Sequence, residues 1–215
     1  MLTAGHIPAA ILAGGRSSRF GSDKALVELD GQPLLQRLRA QLQATGRQVW
    51  VVADRRQRYA QLGIECLVDC AADRGPLAGV ASGLQQRLQV GKGWLLVLTC
   101  DQAVWRESWC EQLLQQLTVA EDEPACDAVH FAARNAHGKL QCEPFPSLLH
   151  TRLLPRVLQH VSDGPASMRA LLAAVATRAV PVDVTPRAWS FNTPDEWQRL
   201  QPGGPPGAVR SPHLG

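Results

Sequence analysis

The 215 residues are 45% hydrophobic and 19% charged, with a formal net charge of +3. That balance lets one enzyme-sized domain bury a sizeable core and gives no electrostatic case for a nucleic-acid groove. No stretch reaches the ~20 apolar residues of a membrane span, and Met1 to His6 lacks the basic region and apolar run of a signal peptide, so a cytoplasmic protein with no membrane or nucleic-acid partner is expected.

In chain order, the apolar run Ile7 to Leu12 reads as a first strand. Pro33 to Thr45 carries leucines at 34, 35, 38 and 42, a helical stripe that stops at Gly46. Gln48 to Ala53 and Ile64 to Asp69 read as strands, Leu77 to Leu88 as a helix, and Trp94 to Thr99 as the most apolar strand. Ser108 to Leu117 is expected to be helical and Asp127 to Ala132 extended, with Leu140 to Cys142 as a hairpin partner around Gly138. Helices are expected at Ser147 to His160 and Ala166 to Ala176. Continuous apolar strands separated by helices predict an α/β domain, with a mostly parallel central sheet and helices on both faces. The domain is expected to span residues 1–201. Four prolines and four glycines among the last fourteen residues predict a disordered tail over 202–215.

The cysteines at 66, 70, 100, 110, 126 and 142 form no C-x-x-C, and no histidines pair at helical spacing. This argues against structural zinc and for reduced core thiols.

The chemistry concentrates after the first strand, in ILAGGRSSRFGSDKAL at residues 11–26. Five residues separate Gly15 from Gly21, one more than a Walker A loop has, and no Lys-Ser/Thr pair follows, so this is not a Walker A loop. Nor does the adjacent pair Gly14-Gly15 fit the dinucleotide pattern G-x-G-x-x-G. Two readings remain: a plain turn, or a polyphosphate cradle in which bare glycines expose backbone N–H groups and Arg16, Arg19 and Lys24 supply charge. The chain holds only three lysines, at 24, 92 and 139, which favours the cradle. As an exposed loop lysine, Lys24 is expected to contribute little to folding.

In a parallel sheet, ligands bind beyond the carboxyl ends of the strands. Asp54 follows the second strand, Asp69 ends the third, and Asp101 closes the most apolar one. An aspartate there is either a helix cap or turn former, or a ligand for a cation bridging to phosphate oxygens.

Together these residues resemble a known family. Leu12-Ala13-Gly14-Gly15, Arg19, Gly21 and Asp23-Lys24-Ala25-Leu26 are similar to the signature of the molybdenum cofactor guanylyltransferases. Gly75-Pro76-Leu77-Ala78-Gly79, Cys100-Asp101 and Asn192-Thr193-Pro194-Asp195 resemble its later motifs in order, and Glu143 to Leu149 its segment near the pterin. The resemblance implies a Rossmann-like nucleotidyltransferase fold and transfer of GMP from GTP to the terminal phosphate of molybdenum-molybdopterin, with release of pyrophosphate. It implies that Leu12, Ala13, Gly14 and Gly15 face the nucleotide, that Arg19 and Lys24 meet the phosphates, and that Asp54, Asp69, Gly79 and Asn192 line the site. Asp101 would hold Mg²⁺. GTP and molybdenum-molybdopterin would be the substrates, with molybdoenzyme apo-proteins or their chaperones as further partners. Thr99 stands where the family usually has proline, Phe20 where it has methionine, Ser190 where it has asparagine, and Asp54 where asparagine is common. A cytidylyltransferase, another transferase acting on a phosphorylated acceptor, and a non-catalytic carrier of nucleotide or pterin are the alternatives. Gly14 favours guanine by the same resemblance, since cytidylyl relatives usually carry alanine there.

Overall fold

The computed structural model describes residues 4–14, 20–71, 74–118, 126–134, 138–164, 167–184 and 186–200. Seven strands form one sheet in the order β5-β4-β1-β6-β8-β7-β9. They are β1 (Ala9–Leu12), β4 (Val49–Ala53), β5 (Leu67–Val68), β6 (Trp94–Thr99), β7 (Ala128–Arg134), β8 (Leu140–His150) and β9 (Thr177–Val182). Only β8 runs antiparallel to its neighbours, so the expected mostly parallel sheet is present.

Both faces are covered, and alternation along the strands explains how. Ala9, Ile11, Leu96 and Leu98 point to one face, where α1 (Leu34–Gln43) packs through Leu35, Leu38 and Leu42 and α3 (Glu107–Thr118) through Cys110, Leu113 and Leu114. Ala10, Leu12, Leu95 and Val97 point to the other, against α2 (Pro76–Gln89), α4 (Leu154–Asp163) and α5 (Met168–Ala173). Each leucine so buried contributes about 1.5–3 kcal/mol of transfer free energy. A strand buried on both faces cannot alternate apolar with polar, which is why WLLVLT reads as a continuous apolar run.

A third cluster lies below the sheet edge. There Leu29, Leu34 and Ala103 pack with Phe191 and with Trp197 of α6 (Pro194–Leu200). The Phe191 ring centroid stands 5.3 Å from that of Phe20 and 4.6 Å from that of Trp197. This cluster fastens the end of the described chain to its beginning.

Several elements differ from expectation. Residues 147–150 are not helical: Ser147, Leu148, Leu149 and His150 pair with Val97, Leu96, Leu95 and Trp94 at the end of β8. The apolar spacing Leu149, Leu153, Val157, Val161 runs unbroken from the strand into α4, so helical periodicity there overshoots its true start, which Pro155 marks. The hairpin partner of β7 is eleven residues long, and the expected strand at 64–69 is reduced to two. β9 escaped notice because it is an edge strand containing Pro181, a residue tolerated only at edges. A small hairpin of β2 (Glu28–Leu29) and β3 (Gln32–Pro33) also precedes α1, turned by Asp30 and Gly31, both at positive φ (54° and 75°). The expected tail, 202–215, lies outside the described residues.

Candidate active site

β1 lies between β4 and β6, and its end is held on both sides. The Leu12 carbonyl accepts from Cys100 N–H at 3.0 Å, and Ala13 N–H donates to the Val52 carbonyl at 2.8 Å. The chain leaves the sheet at Gly14. Gly15 and Arg19, two of the expected site residues, fall in 15–19, outside the described residues. Past them, Asp23 caps a single 3-10 turn, Lys24–Leu26, by accepting from Ala25 N–H at 3.1 Å.

Lys24 is not an exposed loop lysine. Its side chain is only 12% accessible. Nζ donates to Asn192 Oδ1 at 2.8 Å and to the Phe191 carbonyl at 3.1 Å, and lies 3.8 Å from Asp101 Oδ2. The expectation that it matters little to folding is therefore corrected. The cause is a contact across 168 positions of sequence, which loop composition cannot reveal.

That contact is built by backbone pairing. Ala103 N–H donates to the Trp189 carbonyl at 2.8 Å, Phe191 N–H to the Asp101 carbonyl at 3.3 Å, and Gln102 bridges antiparallel to Ser190. The buried Gln102 amide donates to the Pro186 carbonyl at 2.8 Å. Beyond Asn192, Thr193 and Glu196 form a capping box that starts α6: Glu196 N–H donates to Thr193 Oγ1, and the Glu196 carboxylate accepts from Thr193 N–H, each at 3.2 Å. Asn192 is thus set between a paired segment and a capped helix, facing Lys24.

Asp101 follows the most apolar strand, as expected. Thr99, in the place of the family's proline, donates its hydroxyl to Asp101 Oδ1 at 2.5 Å and fixes the carboxylate, whose side chain keeps 19% exposure. Among the described residues no three His, Cys, Asp or Glu side chains group as a metal site. The donor set fits Mg²⁺ nonetheless, because that ion is commonly held by one or two carboxylates with substrate phosphates and water completing its octahedron. Cys100 offers no nucleophile, since burial, followed by the charge of Asp101, pushes its thiol up and keeps it protonated.

Asp69 lies on the other side of the loop, between two glycines. A Cβ at Gly14 would stand 2.9 Å from Asp69 Oδ2, and one at Gly79 would stand 3.0 Å from Oδ1 and 3.1 Å from Leu12 Cδ2. Glycine at both positions leaves room for the carboxylate. Burial first, and the charge of Asp54 second, push the Asp69 carboxyl up. Asp54 is lowered from its ordinary value, chiefly by its hydrogen bond to Arg58, with Arg58 Nη1 and Asp54 Oδ2 2.8 Å apart.

Arg58 and Tyr59 were not foreseen as part of this site. Arg58 also reaches Asp23 Oδ2, through Nη2 at 2.9 Å and Nε at 3.2 Å. The fully buried Tyr59 brings its hydroxyl to 2.8 Å from the Ala13 carbonyl and 3.1 Å from Asp23 Oδ2. Nothing local in RRQRY distinguishes this tyrosine from any core aromatic, because its partners lie 36 and 46 positions away.

The segment from Glu143 lies on β8, beside β6, with Glu143 buried and 3.9 Å from Arg169 Nη2. A cavity of about 520 Å³ opens elsewhere, between α3 and the carboxyl ends of β7 and β9, lined by Gln112, Phe131 and Arg134 among others. It contains none of the expected site residues.

A cation and an acid 3.8 Å apart at the carboxyl edge of a mostly parallel sheet are equipment a nucleotidyltransferase can use. Residues 9–180 match the family model described as the MobA-like NTP transferase domain. The chain belongs to the MobA-like NTP transferase family, and no helix among its described residues is long and apolar enough to cross a membrane. It is 32% identical over 203 residues to a probable molybdenum cofactor guanylyltransferase of Synechococcus elongatus, covering 91% of this chain and 98% of that one. It is 29% identical over 200 residues to the molybdenum cofactor guanylyltransferase of Serratia proteamaculans, covering 91% and 94%. Its fold is similar to that of molybdopterin-guanine dinucleotide biosynthesis protein A from Archaeoglobus fulgidus (TM-score 0.71, 20% identity, 91% of this chain and 97% of that one). It is also similar to that of a CMP:2-keto-3-deoxy-manno-octonic acid synthetase complexed with CTP (TM-score 0.64, 20% identity, 91% and 96%).

Proposed function

We propose that this chain transfers GMP from GTP to the terminal phosphate of molybdenum-molybdopterin, forming the guanine dinucleotide cofactor and releasing pyrophosphate. The observation that carries the reading is the position of Lys24 and Asp101, 3.8 Å apart at the carboxyl edge beside the glycine loop. The names of the relatives supply the substrates.

In this reading, backbone atoms of Leu12, Ala13, Gly14 and Gly15 meet the nucleotide, and Asp69, seated between Gly14 and Gly79, meets the nucleoside with Asp54 alongside. Lys24 exchanges some of its contacts with Asn192 and Phe191 for phosphate oxygens, and Arg19 adds charge from the loop. Mg²⁺ bound at Asp101 would neutralise phosphate charge and draw electron density toward the leaving pyrophosphate. Phosphoryl-type transfer depends on such positioning and charge stabilisation, and the attacking phosphate is already an anion, so no general base is required. The β8 segment from Glu143 forms the acceptor side.

Thermal melting tests the reading. GTP with Mg²⁺ at a hundredfold excess over its Kd adds about 2.7 kcal/mol to the folded state, a rise of roughly 5–10 °C for a domain of this size. CTP should give a much smaller rise. An equal rise with CTP would transfer the assignment to a cytidylyltransferase.

A further inference from the structure

Tyr59 stands between Ala13 and Asp23, the residues that flank the glycine loop on its two sides. Its hydroxyl lies 2.8 Å from the Ala13 carbonyl, where the loop begins, and 3.1 and 3.3 Å from the two oxygens of Asp23, where it ends. Both neighbours are acceptors, while a phenol carries one proton. Asp23 is already supplied by Arg58 through two N–H groups and by Ala25 N–H, so the phenol proton goes to the nearer oxygen, that of Ala13. Burial pushes the Tyr59 hydroxyl far up, which favours the protonated, donating phenol.

Arg58 completes the arrangement from the solvent side. Its guanidinium bridges Asp23 and Asp54, with a side chain 18% exposed. Asp23 in turn caps the turn that begins at Lys24. The base-facing and phosphate-facing ends of the loop are thereby tied through one hydroxyl and one guanidinium, both supplied by the segment that follows β4.

We propose that Tyr59 and Arg58 are positioning residues that hold Ala13 and the Asp23-capped turn, setting the Ala13 carbonyl and Lys24 at a fixed separation before the nucleotide arrives. The proposal rests on the glycine loop being the nucleotide site. Contact groups already held at their binding separation need not be brought together on binding, and that saved entropy appears as affinity.

The test is calorimetric titration of the wild-type chain, Tyr59→Phe and Arg58→Met. The titrant is whichever of the four nucleoside triphosphates the wild type binds most tightly with Mg²⁺, and each variant is also melted without ligand. Tyr59→Phe keeps the ring and removes only the hydroxyl. Its Kd should rise roughly fivefold to tenfold, the scale of one hydrogen bond, and KM for the nucleotide should rise more than kcat falls. Arg58→Met, a change at a partly exposed side chain, should raise Kd similarly. Unchanged affinity in a folded Tyr59→Phe overturns the proposal, as does a variant that melts lower yet binds as the wild type does. If Tyr59→Phe does not fold, unchanged affinity in Arg58→Met overturns it instead. A wild-type chain that binds no triphosphate overturns the nucleotide-loop reading itself and the proposal with it.

Discussion

Replacing Lys24 with alanine should damage folding and catalysis by separate amounts, both open to reasoning from its contacts. Lys24 Nζ makes two hydrogen bonds, to Asn192 Oδ1 and the Phe191 carbonyl, and one longer ion pair with Asp101. A hydrogen bond from a charged donor is worth about 1.5–3 kcal/mol, and since both bonds are only part-buried, water can compensate some of their loss. A net loss of about 2–3 kcal/mol follows, or roughly 5–10 °C in Tm at 2–4 °C per kcal/mol. The loss should couple to Asn192. In a cycle of Lys24→Ala, Asn192→Ala and the double variant, an interaction energy of about 1 kcal/mol is expected. Turnover should fall further, by about 2–4 kcal/mol of transition-state stabilisation, the scale of a preorganised charge at a phosphate. Calorimetric melting and a pyrophosphate-release assay read the two effects independently. A variant melting within 1 °C of the wild type would refute the stapling role, and near-normal turnover would demote the glycine loop to a turn.

Asp101→Asn should abolish most turnover across a Mg²⁺ titration while the protein stays folded, because asparagine keeps the shape and loses the charge that retains a hard cation; near-normal turnover with an unchanged metal requirement removes Asp101 from the site. Gly14→Ala should lower GTP affinity by about tenfold, measured by calorimetry, because its Cβ would stand 2.9 Å from Asp69 Oδ2 and force that carboxylate aside. Asp69→Asn should give a more stable protein with weaker nucleotide binding. Its carboxyl is raised on folding by burial and by Asp54, so the folded state holds the proton more tightly. The stability it contributes therefore falls as pH rises from the ordinary carboxylate range through the raised value. The Tm advantage of Asp69→Asn should be full at neutral pH and shrink on acidification; a variant less stable than the wild type at pH 7 contradicts the reasoning.

Strands that end in ligands were the easiest part of this molecule to read. Buried parallel strands are continuous apolar runs, so Leu12, Ala53 and Thr99 could be placed at the ligand edge together with the glycines and aspartates beyond them. The Lys24–Asn192 contact was not legible, because it depends on residues 189–191 pairing with 101–103, a register that neither segment announces. Tyr59 was hidden for the same reason: a buried tyrosine is ordinarily core, and only the fold shows its hydroxyl between Ala13 and Asp23. The misplaced helix at 147–150 has a different origin, since Leu148 and Leu149 belong to a strand buried on both faces and carry no alternation to oppose a helical reading.

Guanylyl transfer is read from product formation. The purified chain is incubated with Mg²⁺, molybdenum-loaded molybdopterin and each of the four nucleoside triphosphates in turn, and pyrophosphate and the dinucleotide product are quantified together. GTP should yield both in equal amounts, with little from the other three, and Asp101→Asn should yield neither. Pyrophosphate from CTP in preference to GTP, or no product from any nucleotide, would contradict the account.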